Sequence, residues 1–218
     1  MTEALHVEVR APVASFRNPL YAGVQVGLPC PPPATVGGML AAAVGGWGQV
    51  SGDLRFAMVF TAAGAGIDLE TYHPLDASGT KAPPTPKDRP FLAEVTLRIW
   101  LFDDPQRWER ALRRPVWPLR LGRSQDLATA RTRRVRLVSR SGRQGHAVLP
   151  AQLTTAGTLL QLPTAISHDR SRTQWHAYRY HQGGTRAEVD SGWATEDGQA
   201  VALLPPVHPD LLGVVDAP

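Results

Sequence analysis

The sequence is short of cysteine, lysine and long apolar runs, and each shortage excludes something. Cys30 is the only cysteine, so no disulfide can close within the chain and no zinc site built on several thiolates can be assembled. A reducing compartment is the natural setting. No apolar run approaches the roughly 18 residues of a membrane span. The start, Met1 to Arg10, lacks the basic and then apolar regions of a secretory leader, so a cytoplasmic protein without membrane contact is expected. No phosphate-binding Walker loop and no G-x-S-x-G nucleophile turn is present. The seven histidines, His6, His73, His146, His168, His176, His181 and His208, have no metal-ligand spacing. No cofactor is implied. At 218 residues the chain suits one good-sized core with a smaller appendage.

Lys81 and Lys87 are the only lysines; the other basic residues are all arginine. The formal charge of +4 hides an asymmetry, because Arg107 to Arg143 holds twelve arginines against Glu109 and Asp126. That window carries +10 and leaves −6 for the rest. Arginine makes planar bidentate contacts with phosphate and stacks on bases, so the distribution suits a nucleic-acid partner. A solvated surface rich in arginine is the plainer alternative.

Apolar periodicity gives the element order. Leu5, Val7, Val9 and Ala11 alternate with polar residues and predict a strand that Pro12 ends. Thr35 stands as the N-cap of a helix carrying Val36, Met39, Leu40, Ala43, Val44 and Trp47 at helical spacing. Gly37 and Gly38 lie in its first turn, and Gly45 and Gly46 end it. Leu54 to Thr61 predicts a second strand closed by Gly64 and Gly66, and Ala93 to Leu101 a third. Between them, Ala63 to Pro90 is too long for an ordinary turn and predicts an excursion in the form of a hairpin. Asp104 and Pro105 open a second helix with Trp108, Ala111 and Leu112 inward, and Val116 to Leu121 supplies a fourth strand. This βαββαβ order is the ferredoxin-like arrangement also used by RNA-recognition modules, an α+β fold class. Residues 1–130 form that domain, with 63–90 as its insertion, and residues 131–218 a smaller, mostly β region with short strands at Ala156–Leu162 and Trp175–Tyr180.

Two segments carry a family resemblance. The first is Phe16-Arg17-Asn18-Pro19 followed by Leu28-Pro29-Cys30-Pro31-Pro32-Pro33-Ala34-Thr35-Val36-Gly37-Gly38-Met39-Leu40. The second is Pro118-Leu119-Arg120-Leu121-Gly122-Arg123-Ser124-Gln125-Asp126-Leu127-Ala128. Together, in this order, they resemble CRISPR-associated family five, subunits of type I Cascade surveillance complexes in the repeat-associated (RAMP) superfamily. The Phe-Arg-Asn-Pro start is most like type I-B members.

The resemblance implies a ribonucleoprotein subunit that binds and caps the 5′ handle of the CRISPR RNA (crRNA) in antiviral defence or RNA-guided DNA targeting. It implies a thumb in the 63–90 insertion, contacts with the Cascade backbone subunit and large subunit, and target DNA met only indirectly. The physical reading agrees: a proline-led helix start and the Gly37–Gly38 pair would let a phosphate approach free N–H groups. Gly122 would likewise let the backbone come close while Arg120 and Arg123 reach phosphates or bases. The expected RNA-binding set is Phe16, Arg17, Thr35, Gly37, Gly38, Arg120, Gly122, Arg123 and Ser124, with the arginine run Arg131, Arg133, Arg134 and Arg136.

Some members of the family, those of type I-C, cut precursor RNA without metal, using a tyrosine, a lysine and a histidine. Here Lys81, Lys87 and the nearest histidine, His73, all fall in the excursion and do not map onto those positions, so a non-catalytic subunit is expected and endoribonuclease activity is the alternative. An unrelated RNA-recognition module would stack bases on strand aromatics, and only Trp100 stands on the polar face of the clearest strand. Trp175, Tyr178 and Tyr180 with Arg170, Arg172 and Arg179 form a second patch, readable as a stacking surface or as ordinary strand packing.

Overall fold

Alternation of apolar and polar residues produces the strands on which everything else is mounted. The computed structural model describes residues 1–21, 25–72 and 84–213. In β1 (Thr2–Ala14), Leu5, Val7, Val9 and Ala11 turn to one face and are buried. With β2 (Ala57–Tyr72), β3 (Thr85–Leu101) and β4 (Thr129–Leu137) this strand forms an antiparallel sheet in the order β2-β3-β1-β4. α1 (Pro33–Val44) follows β1 and α2 (Pro105–Arg113) follows β3. Val36, Met39 and Leu40 of the first helix and Trp108 and Leu112 of the second join the inward residues of β1 in one core.

Of four boundaries three differ from the sequence expectation, each for a physical reason. β1 does not stop at Pro12. Its pairing with β4 ends at Arg10, so the missing proline N–H costs the ladder nothing there, and Ala11 and Val13 still pair with β3. β2 does not close at Gly64 and Gly66 but pairs with β3 from Ala57↔Trp100 out to Tyr72↔Thr85. The Phe91 ring lies over Gly66, its far edge 2.6 Å from where a Cβ would stand. α1 ends as expected at the Gly45–Gly46 pair, which leaves Trp47 outside the helix, with Gly45 at φ 98° and its N–H bonded back to Ala42 O. The fourth strand is not Val116–Leu121. The backbone N–H groups of Val116 and Trp117 go instead to the carbonyls of Ala43 and Ala42, at 3.0 and 3.2 Å, closing the end of α1.

The β2–β3 arm is braced by Arg89, whose buried guanidinium meets Asp68 and Glu70 at 2.8 Å each. The hydrogen bond from Arg89 holds the Asp68 carboxyl below the usual carboxylate range. His73 and Lys81, weighed for the endoribonuclease alternative, lie outside the described residues, and Lys87 stands on β3.

Beyond β4 the strands are short. β5 (Gly142–Gly145) pairs with β9 (Thr185–Val189), and β10 (Trp193–Ala194) with β11 (Ala200–Val201). β6 (Leu149–Pro150), β8 (Thr173–Tyr180) and β7 (Thr158–Ile166) make a three-stranded sheet in that order. The division expected at residue 130 falls inside β4, and the core continues past it: Val148, Leu162, Tyr178, Tyr180, Leu204 and Val207 pack with the first sheet. Tyr180 Oη donates to Phe60 O at 3.1 Å across that junction.

Cys30 lies wholly inside this core, and burial pushes its thiol well above the ordinary cysteine range. A thiol-alkylating reagent at neutral pH is therefore expected to leave the native protein unmodified and to add one label after denaturation, read by intact mass. Rapid labelling of the native protein would contradict this burial.

Candidate nucleic-acid interface

The start of α1 is fixed by proline rather than by a side-chain cap. Pro32, at φ −59° and ψ 145°, occupies the N-cap position, and among the described residues no side chain caps the helix. Pro33 has no N–H to satisfy, and Thr35 and Val36 donate to Pro32 O at 2.9 and 3.2 Å. Thr35 is thus the third helical residue and not the cap. Gly37 and Gly38 fall in the second turn, past the four N–H groups a helix leaves free, so they cannot offer those donors to a phosphate. Gly37 is a packing position: a Cβ there would lie 2.8 Å from Val207 and 2.9 Å from Trp47. Gly38 is open, with nothing within 4 Å of its would-be Cβ.

The second motif folds into a tight loop around one carboxylate. Leu121 N–H donates to Asp126 O at 3.0 Å and Ala128 N–H to Leu119 O at 2.9 Å. Inside the loop, Asp126 Oδ2 accepts from Ser15 N–H and Arg123 N–H, both at 3.1 Å, and from Arg123 Nε at 3.0 Å. Its Oδ1 meets Arg123 Nη2 at 2.9 Å. Arg123 is therefore committed to its own loop. Gly122, at φ 109°, passes so close to β1 that a Cβ would lie 2.7 Å from Ser15 O; the close approach that needs glycine is to the protein's own backbone.

These two constructions meet. Thr35, Gly38 and Met39 of α1 face Trp117, Arg120 and Gly122 across a groove of about 490 Å³. Arg120 is exposed on its rim, and Trp117 is 61% exposed beside it. The groove combines a cation, a hydroxyl, an aromatic face and a stretch of helix without side chain, which suits a single-stranded polyanion held by phosphate contact and stacking.

Of the other expected residues, Phe16 is a core residue, set edge-on to Phe60 with ring centroids 5.7 Å apart. Arg17 is exposed but does not line the groove, its backbone bridging to Gly27. Ser124 is exposed at the tip of the Asp126 loop. The arginine run is split by strand alternation. Arg131 and Arg133 pair across from Glu8 and His6, while Arg134 and Arg136 pair across from Leu5 and Glu3 and so point to the opposite side of the sheet. Arg134 meets Glu109 of α2 at 3.4 Å.

Trp100 is only 3% exposed, in a buried cluster with Leu149 and Val201 and with the His6 ring 5.2 Å away, and offers no stacking face. Tyr178 and Tyr180 are likewise buried, the former with its hydroxyl 2.7 Å from Thr164 Oγ1, so the two tyrosines of the second patch are strand packing and offer no stacking face. Burial pushes the Tyr178 hydroxyl up to about 12. Asp126, Ser15 and Trp117 were missed as site builders. The buried carboxylate inside an otherwise basic loop was the available signal for the first.

An α+β protein with a four-stranded antiparallel sheet, two helices and a basic groove at the first helix is thus defined. The family model described as CRISPR-associated protein (Cas_Cas5) matches residues 4–192, and the chain belongs to that family. A chain of a CRISPR RNA-guided surveillance complex is similar over 93% of this chain and 90% of its own, with TM-score 0.57 and 16% identity. A CRISPR protein from Archaeoglobus fulgidus is similar over 94% of this chain and 100% of its own, with TM-score 0.50 and 14% identity. A chain of the type III-B Cmr-beta complex bound to cognate target RNA and AMPPnP shares 84% and 85% coverage, TM-score 0.56 and 9% identity. No curated protein matches significantly. Among the described residues no helix is long and apolar enough to cross a membrane.

Proposed function

We propose that this protein is a non-catalytic subunit of a CRISPR effector complex, of type I and most like type I-B, that grips the 5′ handle of the crRNA in the groove between α1 and the 117–122 segment. One observation carries the reading: two sequence motifs far apart in the chain converge on a single groove whose chemistry suits single-stranded RNA. Membership of the CRISPR-associated family supports it, as does similarity to a chain of an RNA-guided surveillance complex.

On this reading the sheet and its two helices are a ferredoxin-like RNA-binding module and the β2–β3 arm is a thumb. The thumb reaches a neighbouring backbone subunit, and the edge arginines Arg131 and Arg133 face RNA or the large subunit. Target DNA is met through the guide, in the cytoplasm.

The test uses purified protein and repeat RNA with its natural or a scrambled 5′ handle, in EDTA. Natural-handle RNA is expected to bind preferentially and to stay intact. Arg120→Ala is expected to weaken binding about ten-fold, the value of a charge-assisted contact, and to reduce the salt slope by about 0.7. Equal binding of both RNAs, or an unchanged Arg120→Ala, defeats the handle assignment. Specific cleavage in EDTA defeats the non-catalytic one.

A further inference from the structure

The Arg120 groove is not closed by the helix that lines it. A second groove, of about 470 Å³, lies on the other side of α1 and is lined by Trp47, Ile166, His168, Arg170, Val207 and Pro209. The two grooves share Ala34 and Gly38. The ridge between them is therefore close to bare backbone, because Gly38 has open space where a side chain would stand. One residue earlier, the space at Gly37 is filled by Trp47 and Val207, which shape the floor of the second groove. A larger side chain at Gly38 would wall the grooves off from each other.

The second groove has the chemistry of a nucleotide subsite. Its floor is apolar and fixed: Trp47 packs edge-on to the buried His208 ring at 5.2 Å, and His208 Nε2 lies 3.1 Å from Trp47 O. Its rim is polar and carries the Arg170 cation beside the Asp169 and Asp210 carboxylates. His168 is 59% exposed in its side chain, with Nε2 3.1 Å from Asp210 Oδ1. Arg170 is exposed on the same turn.

That turn is built against a local preference, since Arg170 sits at φ 61°, in the left-handed region. It is held there by Arg170 N–H donating to Ser167 O at 2.9 Å and by Ser167 N–H donating to Arg172 O at 3.0 Å. The Asp169 carboxylate accepts Ser171 N–H at 3.1 Å and Ser171 Oγ at 2.6 Å. Hydrogen bonds from Ser167 and Ser171 hold that carboxyl well below the usual range, so it stays an acceptor throughout neutral pH. These bonds fix the backbone of the β7–β8 turn, so Arg170 is held at the mouth of the groove.

We propose that single-stranded RNA crosses α1 at Gly38, and that the Trp47–His168–Arg170 groove is a second nucleotide subsite on the same strand. It takes a base or ribose on the apolar floor, with a phosphate at Arg170 and His168 on the rim. This rests on the handle reading of the first groove and extends it by a stretch of RNA on the far side of the helix.

The experiment measures affinity for 5′-labelled handle RNA and the length of RNA protected from nuclease, for wild type and for Arg120→Ala, Arg170→Ala, Gly38→Leu and Gly48→Leu. Gly38→Leu exchanges a poor helix former for a good one at an open position, so the fold is retained. Gly48 also has open space and lies outside both grooves, which makes Gly48→Leu the control. Arg170→Ala and Gly38→Leu are each expected to weaken binding about ten-fold, the scale of one stacked base, and to shorten the protected RNA, with Gly48→Leu unchanged. If Arg120→Ala weakens binding while Arg170→Ala and Gly38→Leu leave affinity and protection as in the wild type, the second subsite is wrong and the first groove stands. If none of the three matters, the handle reading fails and the subsite fails with it.

Discussion

Replacing Asp126 by alanine is expected to destabilise the protein by about 3–5 kcal/mol, the cost of breaking a buried ion pair from one side. The carboxylate is 3% exposed and its partner Arg123 is 18% exposed, so solvent screens the pair little. The substitution removes the acceptor of Ser15 N–H, of Arg123 N–H and of the Arg123 guanidinium at one stroke. Among the described residues Arg123 Nη1 is already buried without a partner, so the guanidinium has no other acceptor at hand.

Urea denaturation followed by circular dichroism measures the loss directly. At about 2–4 °C per kcal/mol for a chain of this size, the melting temperature should fall by roughly 10 °C. Asp126→Asn keeps one acceptor oxygen and should lose less. RNA affinity should fall with Asp126→Ala too, because the same loop aims Arg120 into the groove. A loss under about 1 kcal/mol, the scale of an exposed pair such as Arg55–Asp53, would mean that the loop does not depend on this carboxylate.

Gly122→Ala is expected to cost roughly 2–5 kcal/mol. About 1–3 kcal/mol comes from forcing a side chain onto backbone at φ 109°. A comparable amount comes from overpacking, since the new methyl would lie 2.7 Å from Ser15 O and 3.2 Å from Ser15 N, main-chain atoms of β1 that cannot swing away. Gly38→Ala is the opposite case. It lies inside α1 with nothing within 4 Å, so it should stabilise by about 0.5–1 kcal/mol. Denaturation of both variants on the same day tests the contrast. Two small losses of equal size would remove the distinction drawn between a glycine that β1 requires and one left open on the helix surface.

The contrast also marks how far the sequence could be read. α2 was legible in full because its signals are local: Asp104 Oδ1 accepts Arg107 N–H at 3.1 Å, and Pro105 follows as the first helical residue. Thr35 gave the same kind of signal at α1 and misled, because the Pro31–Pro33 run preset the chain and placed the helix start three residues earlier, with Pro32 at the N-cap. The fourth strand was missed at 129–137 because an edge strand rich in arginine has little apolar alternation to show, and only Leu137 within it is fully buried. Val116–Leu121 had the apolar residues, yet its backbone donors were taken by the end of α1.

The groove follows the same division. Three of the four strands of the main sheet, both helices, the basic centre of the chain and the two family motifs were readable in the sequence, because they rest on periodicity, composition or contiguous residues. Which of these residues meet was settled by the packing of the folded chain. It put Phe16 into the core, committed Arg123 to Asp126, split Arg131 and Arg133 from Arg134 and Arg136, and set Thr35 and Gly38 opposite Trp117 and Arg120. A glycine reads alike in sequence whether it faces a partner or its own chain. The difference lies in what stands opposite it, Ser15 at Gly122 and open space at Gly38, and that is fixed by long-range packing.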